Sequence, residues 1–195
     1  MDFDYNSVEC MSQITNNIFI SDYYSSITEN LLTANNIKYI LNMCCEEKAE
    51  HVLRMYKDLG IVHKQIAIDD DPDENIIQYF PAIIEFMRNS RNGNVLVHCW
   101  AGVSRSATAV ILYLLWLYIS GFQCTVPRTI NATAVITNYV RSKRSIIRPN
   151  YGFMSQLCLF ENQMRIAHQG NPRCDCAQQR TQRRPYLDLR SHVGM

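Results

Sequence analysis

Residues 94–112 read NVLVHCWAGVSRSATAVIL. Val95 to Val97 form an apolar run of the kind found in a strand covered on both faces. It ends in His98 and Cys99, passes through the small or uncharged residues Trp100, Ala101, Gly102, Val103 and Ser104, and reaches Arg105 and Ser106 before turning apolar again. That order predicts a strand, a tight loop and a helix. In sheets built from such units, ligands bind beyond the carboxyl ends of the strands, where loops lead into helices. Backbone N–H groups of residues 100–105, with the helix N-terminus behind them, would form an anion nest. A nest of this kind holds a tetrahedral dianion and favours the thiolate of Cys99 over the thiol. Gly102 lets the backbone fold closely around the anion, and the planar fork of Arg105 suits two phosphate oxygens. The implied chemistry is phosphoryl transfer to sulfur, with a phosphocysteine at Cys99 and no metal or cofactor.

The rest of the chain predicts what surrounds this unit. With 195 residues and 47% hydrophobic content, one domain with a sizeable core is expected. A net charge of +1 supplies no global field to recruit nucleic acid or a membrane surface. The start, MDFDYNSVEC, lacks the basic and apolar regions of a secretory signal, and Asp2 excludes N-myristoylation. The eight cysteines are therefore expected as thiols in a reducing compartment, the cytoplasm or nucleus. Ala107 to Phe122 is apolar all round, but it is shorter than the roughly 20 residues of a membrane span. A buried central helix is expected there, not a span.

Strand patterns at 17–22, 37–43, 61–68 and 94–99 alternate with helical ones at 25–36, 46–60, 75–88, 105–119, 132–143 and 150–167. The expected fold is α/β, a central mostly parallel sheet with helices on both faces. Pro81 would kink its helix or sit near the first turn. A domain over 12–167 is expected, with an extension at 1–11 and a polar, loosely ordered tail at 168–195.

His98-Cys99, five residues and Arg105, extended to HCxAGxSRS, resembles the signature loop of cysteine-based protein phosphatases, specifically the dual-specificity group. SQITNNIFIS (12–21), ILNMCCEE (40–47), the acidic loop before Tyr79-Phe80, and SIIRPNYGFMSQL (145–157) stand in family order. Together they resemble the small atypical members, and the likeness implies a cysteine-phosphatase-like fold. It also implies a general acid nine residues before the first aromatic of the Tyr-Phe pair, which is Asp70, with Asp71 second choice. Asp69, Asp73 and Glu74 are then ordinary solvated loop acids. Ser106 matches the hydroxyl that helps the thiolate depart. Asn150 either braces the loops or only caps the last helix. Alternation points His98 away from Cys99, so its ring is expected to be hydrogen-bonded and to orient the loop.

Inositol-lipid phosphatases of the superfamily carry extra Lys in this loop; here Arg105 is its only charge, so phosphoproteins are the expected substrates. An insertion relative to the small members falls near Ser120 to Ile130. The competing reading is a non-catalytic phosphoprotein-binding module, disfavoured because Cys99, Arg105 and Asp70 are all present. A zinc or redox site on Cys44-Cys45 and Cys174-Asp175-Cys176 lacks a second ligand pair. A last expectation concerns redox: an exposed Cys99 thiolate would oxidise readily, and Cys44, ending a neighbouring strand at the same edge, could trap it as a disulfide. Cys45 points the other way. The plain alternative is that both are packing residues.

Overall fold

The computed structural model describes residues 10–90, 92–122 and 131–169. Its sheet has five strands: β1 Met11–Gln13, β2 Ile18–Ser21, β3 Ile37–Asn42, β4 Val62–Gln65 and β5 Asn94–His98. They lie in the order β1-β2-β5-β3-β4. Only the β1–β2 pair is antiparallel; β5 runs parallel between β2 and β3, with Ser21 and Asn42 both level with His98. Gln65 of β4 is level with Asn42, so four strand ends open at one edge of the sheet, and Cys99 is the first residue past the central strand β5. The expected α/β architecture is the observed one.

Among the described residues, seven α-helices cover the sheet: α1 Tyr23–Ser26, α2 Glu29–Ala34, α3 Glu50–Asp58, α4 Phe80–Asn89, α5 Arg105–Phe122, α6 Ala132–Lys143 and α7 Tyr151–Gln169. Strand alternation divides the core. Ile18, Ile20, Leu41, Val95 and Val97 face α4 to α7 in one cluster. Phe19, Ile37, Ile40 and Leu96 face Leu32 of α2 and Val52 and Tyr56 of α3 in the other. Helix α5 is fully enclosed from Ala107 to Leu112 and at Leu114 and Leu115, which accounts for its apolar circumference. Among the described residues, no helix is long and apolar enough to cross a membrane.

Four expectations change. Strand β1 was not anticipated, and Met11, assigned to the extension, already pairs with Ser21. The helix expected at 25–36 is two short ones. Asp22 caps the first by accepting from the Ser25 N–H at 2.7 Å, and Thr28 restarts the second in extended backbone. Asn36, at φ 46°, ends it in the left-handed region. The helix expected from residue 46 begins at Glu50, because the stretch before it dips inward to bury Lys48. The segment from Asn75 opens with a tight 3-10 turn, Ile76–Tyr79, and Pro81 sits in the first turn of α4, where its missing N–H costs nothing. The insertion near Ser120 to Ile130, the tail beyond Gln169, and Cys174 and Cys176 fall outside the described residues.

Helix α6 is fastened at its start by a side chain from α7. Buried Glu161 accepts from the N–H groups of Ala132 and Thr133 at 3.0 and 2.8 Å and from Thr133 Oγ1 at 2.7 Å, and it pairs with Arg165. Burial pushes its carboxyl up, but the hydrogen bonds from Thr133, Arg165 and Ala132 outweigh burial and hold it below the ordinary value. Its stabilisation is present above the unfolded-state value and is lost as pH falls through the lowered folded value. We expect Glu161→Gln to cost about 1–3 kcal/mol at neutral pH. The gap to wild type should narrow below about pH 4 in urea titrations.

Candidate active site

The loop from Cys99 to Arg105 is shaped from behind. The carbonyl of Trp100 accepts the Tyr23 N–H at 3.0 Å, that of Val103 the Arg148 N–H at 2.8 Å, and that of Ser104 the Thr108 N–H at 2.8 Å. The Gly102 carbonyl accepts from Arg144 Nε at 2.9 Å. With those carbonyls bound outward, the intervening N–H groups turn toward the loop's centre. Among the described residues, none of the N–H groups from Trp100 to Ser104 is bonded to a protein acceptor. Helix α5 starts at Arg105 and adds its positive end.

Gly102 has φ 67°, and a Cβ there would meet Ser21 O at 2.6 Å and the Arg144 guanidinium at 2.8 Å. The glycine is thus demanded by the strand and arginine packed behind the loop as much as by an anion in front of it. Arg144 is 1% exposed and also donates to Ser12 Oγ, tying the loop to β1. Nothing in a sequence marks one arginine of KRSIIRP as buried.

Cys99 lies at the bottom of the loop and is 1% exposed, so the exposed side chain expected from the sequence is corrected to an enclosed one. Its Sγ is 3.3 Å from Ser106 Oγ, itself fully buried. Arg105 donates from Nη1 to the Ile68 carbonyl at 3.0 Å, and its Nε lies 3.8 Å from Asp70 Oδ2. His98 is buried on the far side. Burial, with the nearby Lys48 charge, pushes its pKa well below the ordinary value and keeps the ring neutral. The expected hydrogen-bonded ring is only partly found. Nδ1 makes one long contact, 3.4 Å, to the Cys99 carbonyl, and Nε2 has no partner among the described residues. Packing fixes the ring instead, with Tyr23 in an edge-on arrangement and the two ring centroids 6.3 Å apart.

The acidic loop separates into distinct positions. Asp70 accepts from Ser104 Oγ at 2.6 Å and from Asn150 Nδ2 at 3.0 Å, which holds it over the loop. Asp71 accepts the Asp73 N–H in an exposed turn, and Asp69 accepts from the Cys45 thiol. Only Asp70 meets Arg105. Asn150 both braces and caps: its Oδ1 accepts the Phe153 N–H at 2.8 Å. Its own N–H reaches Ser104 Oγ at 3.1 Å, so Ser104 links both segments with its side chain. Gly152 completes the seat, because a Cβ there would overlap the Pro72 carbonyl of the acidic loop.

An aromatic group borders the loop on the side of α1. Trp100, 47% exposed, stacks on Tyr23 with centroids 5.3 Å apart, and Tyr24 meets it edge-on at 6.0 Å. Lys48 Nζ lies 3.8 Å from the Tyr23 ring centre and donates to Ser26 Oγ at 3.0 Å. Burial lowers the Lys48 ammonium to about 8, with Cys44 opposing, so it is still largely charged at neutral pH. Neither Tyr23 nor Lys48 carried a sequence signal: Tyr23 lies between the strand expected at 17–22 and the helix expected at 25–36, and Lys48 lies in a segment read as ordinary helix.

Several comparisons agree with this geometry. Residues 18–163 match the profile of the dual specificity phosphatase catalytic domain. The human dual specificity protein phosphatase 9 is 35% identical over 158 residues, which is 79% of this chain but 37% of that protein. The human dual specificity protein phosphatase 18 is 31% identical over 160 residues, 81% of this chain and 76% of that protein. The crystal structure of the Yvh1 phosphatase domain from Chaetomium thermophilum superimposes with a TM-score of 0.70 at 29% identity, covering 78% of this chain and 96% of that one. The chain belongs to the dual specificity phosphatase family, within the cysteine-based protein tyrosine phosphatase superfamily. It spans little more than a third of the first of these relatives.

Cys44 and Cys99 share one buried cluster, and the Met43 N–H bonds the His98 carbonyl at 2.9 Å, which brings the two strand ends together. Burial, then the charge of Cys99, pushes the Cys44 thiol up to about 12. Cys45 turns away to Asp69. Peroxide would oxidise Cys99 to the sulfenic acid, releasing water. Attack by Cys44 would then form the disulfide and release a second water. So high a Cys44 value makes its thiolate scarce, so trapping should speed up about tenfold per pH unit between pH 6 and 8. Peptide mapping after timed peroxide treatment checks this. Irreversible Cys99 oxidation without a Cys44–Cys99 bond would make Cys44 a packing residue only.

Proposed function

We propose that this protein is a working phosphatase that removes phosphate from phosphotyrosine and phosphoserine or phosphothreonine in proteins, through a phosphocysteine on Cys99. The observation that carries the reading is the ring of unspent N–H groups above the buried Cys99 sulfur, with Arg105 and Asp70 at its rim. Phosphate oxygens would bind the N–H groups of Trp100, Ala101, Gly102, Val103 and Ser104 and the guanidinium of Arg105. The thiolate attacks phosphorus, the bond to the leaving oxygen breaks, and Asp70 gives that oxygen its proton. Water then attacks the phosphocysteine, Asp70 takes its proton, and Ser106 donates a hydrogen bond to the departing sulfur. Every step uses side chains of this chain and needs no cofactor. The nucleophile must remain a thiol between turnovers, which suits a reducing compartment such as cytoplasm or nucleus. A binding-only module has no use for a proton donor clamped beside the anion site.

Aryl phosphate turnover by the purified full chain tests the mechanism. Hydrolysis should persist in EDTA and disappear in Cys99→Ser while the circular dichroism spectrum is preserved; full activity in that variant would sink the mechanism. Asp70→Ala should slow turnover by roughly 10²–10⁴. That loss should shrink on aryl phosphates with more acidic leaving groups, which need no proton. If Asp71→Ala shows that dependence and Asp70→Ala does not, the acid is Asp71.

A further inference from the structure

The catalytic reading leaves one part of the site unused: the aromatic group on the α1 side. Trp100 is the residue after Cys99 and the only bulky side chain in the loop, yet its ring is not tucked into the core. It stands 47% exposed beside Tyr24, which is 52% exposed. A freely mobile indole would offer little, because ordering it would cancel the gain of a contact. This one is ordered from beneath. Tyr23 stacks on it at an interplanar angle of 29°, while the Tyr23 N–H holds the Trp100 carbonyl. Tyr23 is in turn seated on the Lys48 ammonium. Lys48 is held by Ser26 Oγ, and that hydroxyl donates to the Tyr23 carbonyl at 2.6 Å, closing the assembly on itself. A buried lysine with no carboxylate partner among the described residues is costly, and here its charge is spent on positioning one aromatic ring.

Depth is the second observation. Cys99, the residue to be phosphorylated, is only 1% exposed, whereas Trp100, directly after it in the loop, is 47% exposed. A substrate must bridge from that floor to its own backbone. Phosphoserine offers a single methylene for this, whereas phosphotyrosine offers a whole ring with two apolar faces. A ring entering beside an ordered indole gains an aromatic contact that an alkyl phosphate cannot make. The shorter residue must bring its backbone down against Trp100 and Tyr24.

From these contacts we infer that Trp100, backed by Tyr23 and Tyr24, is a specificity-determining wall that favours phosphotyrosine over phosphoserine in the same site, and that Lys48 is the residue positioning it. The inference rests on the phosphatase reading above and adds the substrate preference.

Two phosphopeptides identical except for phosphotyrosine or phosphoserine at one position test it, through kcat and KM of the full chain for each. Wild type should favour the phosphotyrosine peptide by at least about tenfold in kcat/KM, the worth of one good aromatic contact. Trp100→Ala should bring the ratio to within about threefold of one, and Trp100→Phe should retain most of it. Tyr24→Ala, an exposed change with little bearing on folding, should lower the ratio partway. Lys48→Met, which keeps the buried stem and removes the charge, should raise KM for the phosphotyrosine peptide more than it lowers kcat. A wild-type ratio near one, or a ratio unchanged in Trp100→Ala, overturns the wall. Equal losses on both peptides in Lys48→Met overturn its positioning role. Cys99-dependent turnover of p-nitrophenyl phosphate separates these failures from failure of the phosphatase reading, since it asks nothing of the ratio.

Discussion

The structure depends on where the loop's carbonyl groups point. A peptide unit that turns its oxygen outward must turn its N–H inward, so four outward hydrogen bonds define an inward cup. The donors come from four places: the start of α1, the turn after α6, the segment before α7, and the second residue of the next helical turn in α5. Each is a strong group that would be unsatisfied elsewhere. The cup is therefore built by the fold before any anion arrives, which is what electrostatic preorganisation requires. The same logic explains why a buried arginine lies behind it. Arg144 can reach Gly102 and Ser12 together because its long stem crosses beneath the loop, and its guanidinium adds positive charge on the side the substrate never touches.

A second constraint joins the cup to the acid. Ser104 belongs to the loop, Asn150 to the start of α7, and Asp70 to the segment after β4, yet one carboxylate oxygen collects hydrogen bonds from both of the others. Three distant parts of the chain thereby meet within one hydrogen-bonded cluster, and Gly152 clears the space for it. Such a clamp is worth more than its separate bonds because each donor is fixed by its own backbone partner.

Much of this was legible in the sequence, for reasons that differ between elements. Buried parallel strands read clearly because both faces are apolar, as in 37–43 and 94–99, and periodicity alone is enough to find α6 at its observed bounds. Strand β1 was invisible because three residues at a sheet edge carry no periodicity. Asp22 and Thr28 break what pattern alone joins into one helix, since a cap acts through geometry that periodicity does not encode. Cys99 and Arg105 could be named because a loop motif fixes their spacing, and Asp70 because the family resemblance implies an acid nine residues before Tyr79. Lys48, Tyr23 and Arg144 could not, because each acts across the fold from positions that look like solvated helix, a connection between elements or ordinary basic surface. Ser104 was chosen for its backbone and proves to act with its hydroxyl as well.

Arg105 and Asp70 finally raise a question of charge. Their groups lie 3.8 Å apart, a separation at which each satisfies part of the other's field. A phosphate dianion entering the cup offers Arg105 a better bidentate partner and draws the guanidinium toward itself. Asp70 then loses its cation and gains two negative charges nearby. In the proposed reaction this is the side chain that hands a proton to the departing oxygen. The clamp adds a geometric condition, because Ser104 and Asn150 occupy Oδ1 and leave Oδ2 facing the arginine and the substrate. In the proposed reaction Oδ2, the carboxyl oxygen left beside the arginine, is the one placed to serve the departing oxygen. Asp71 instead spends its carboxylate on the Asp73 N–H in an exposed turn, so the clamp that orients Asp70 is not repeated one residue along.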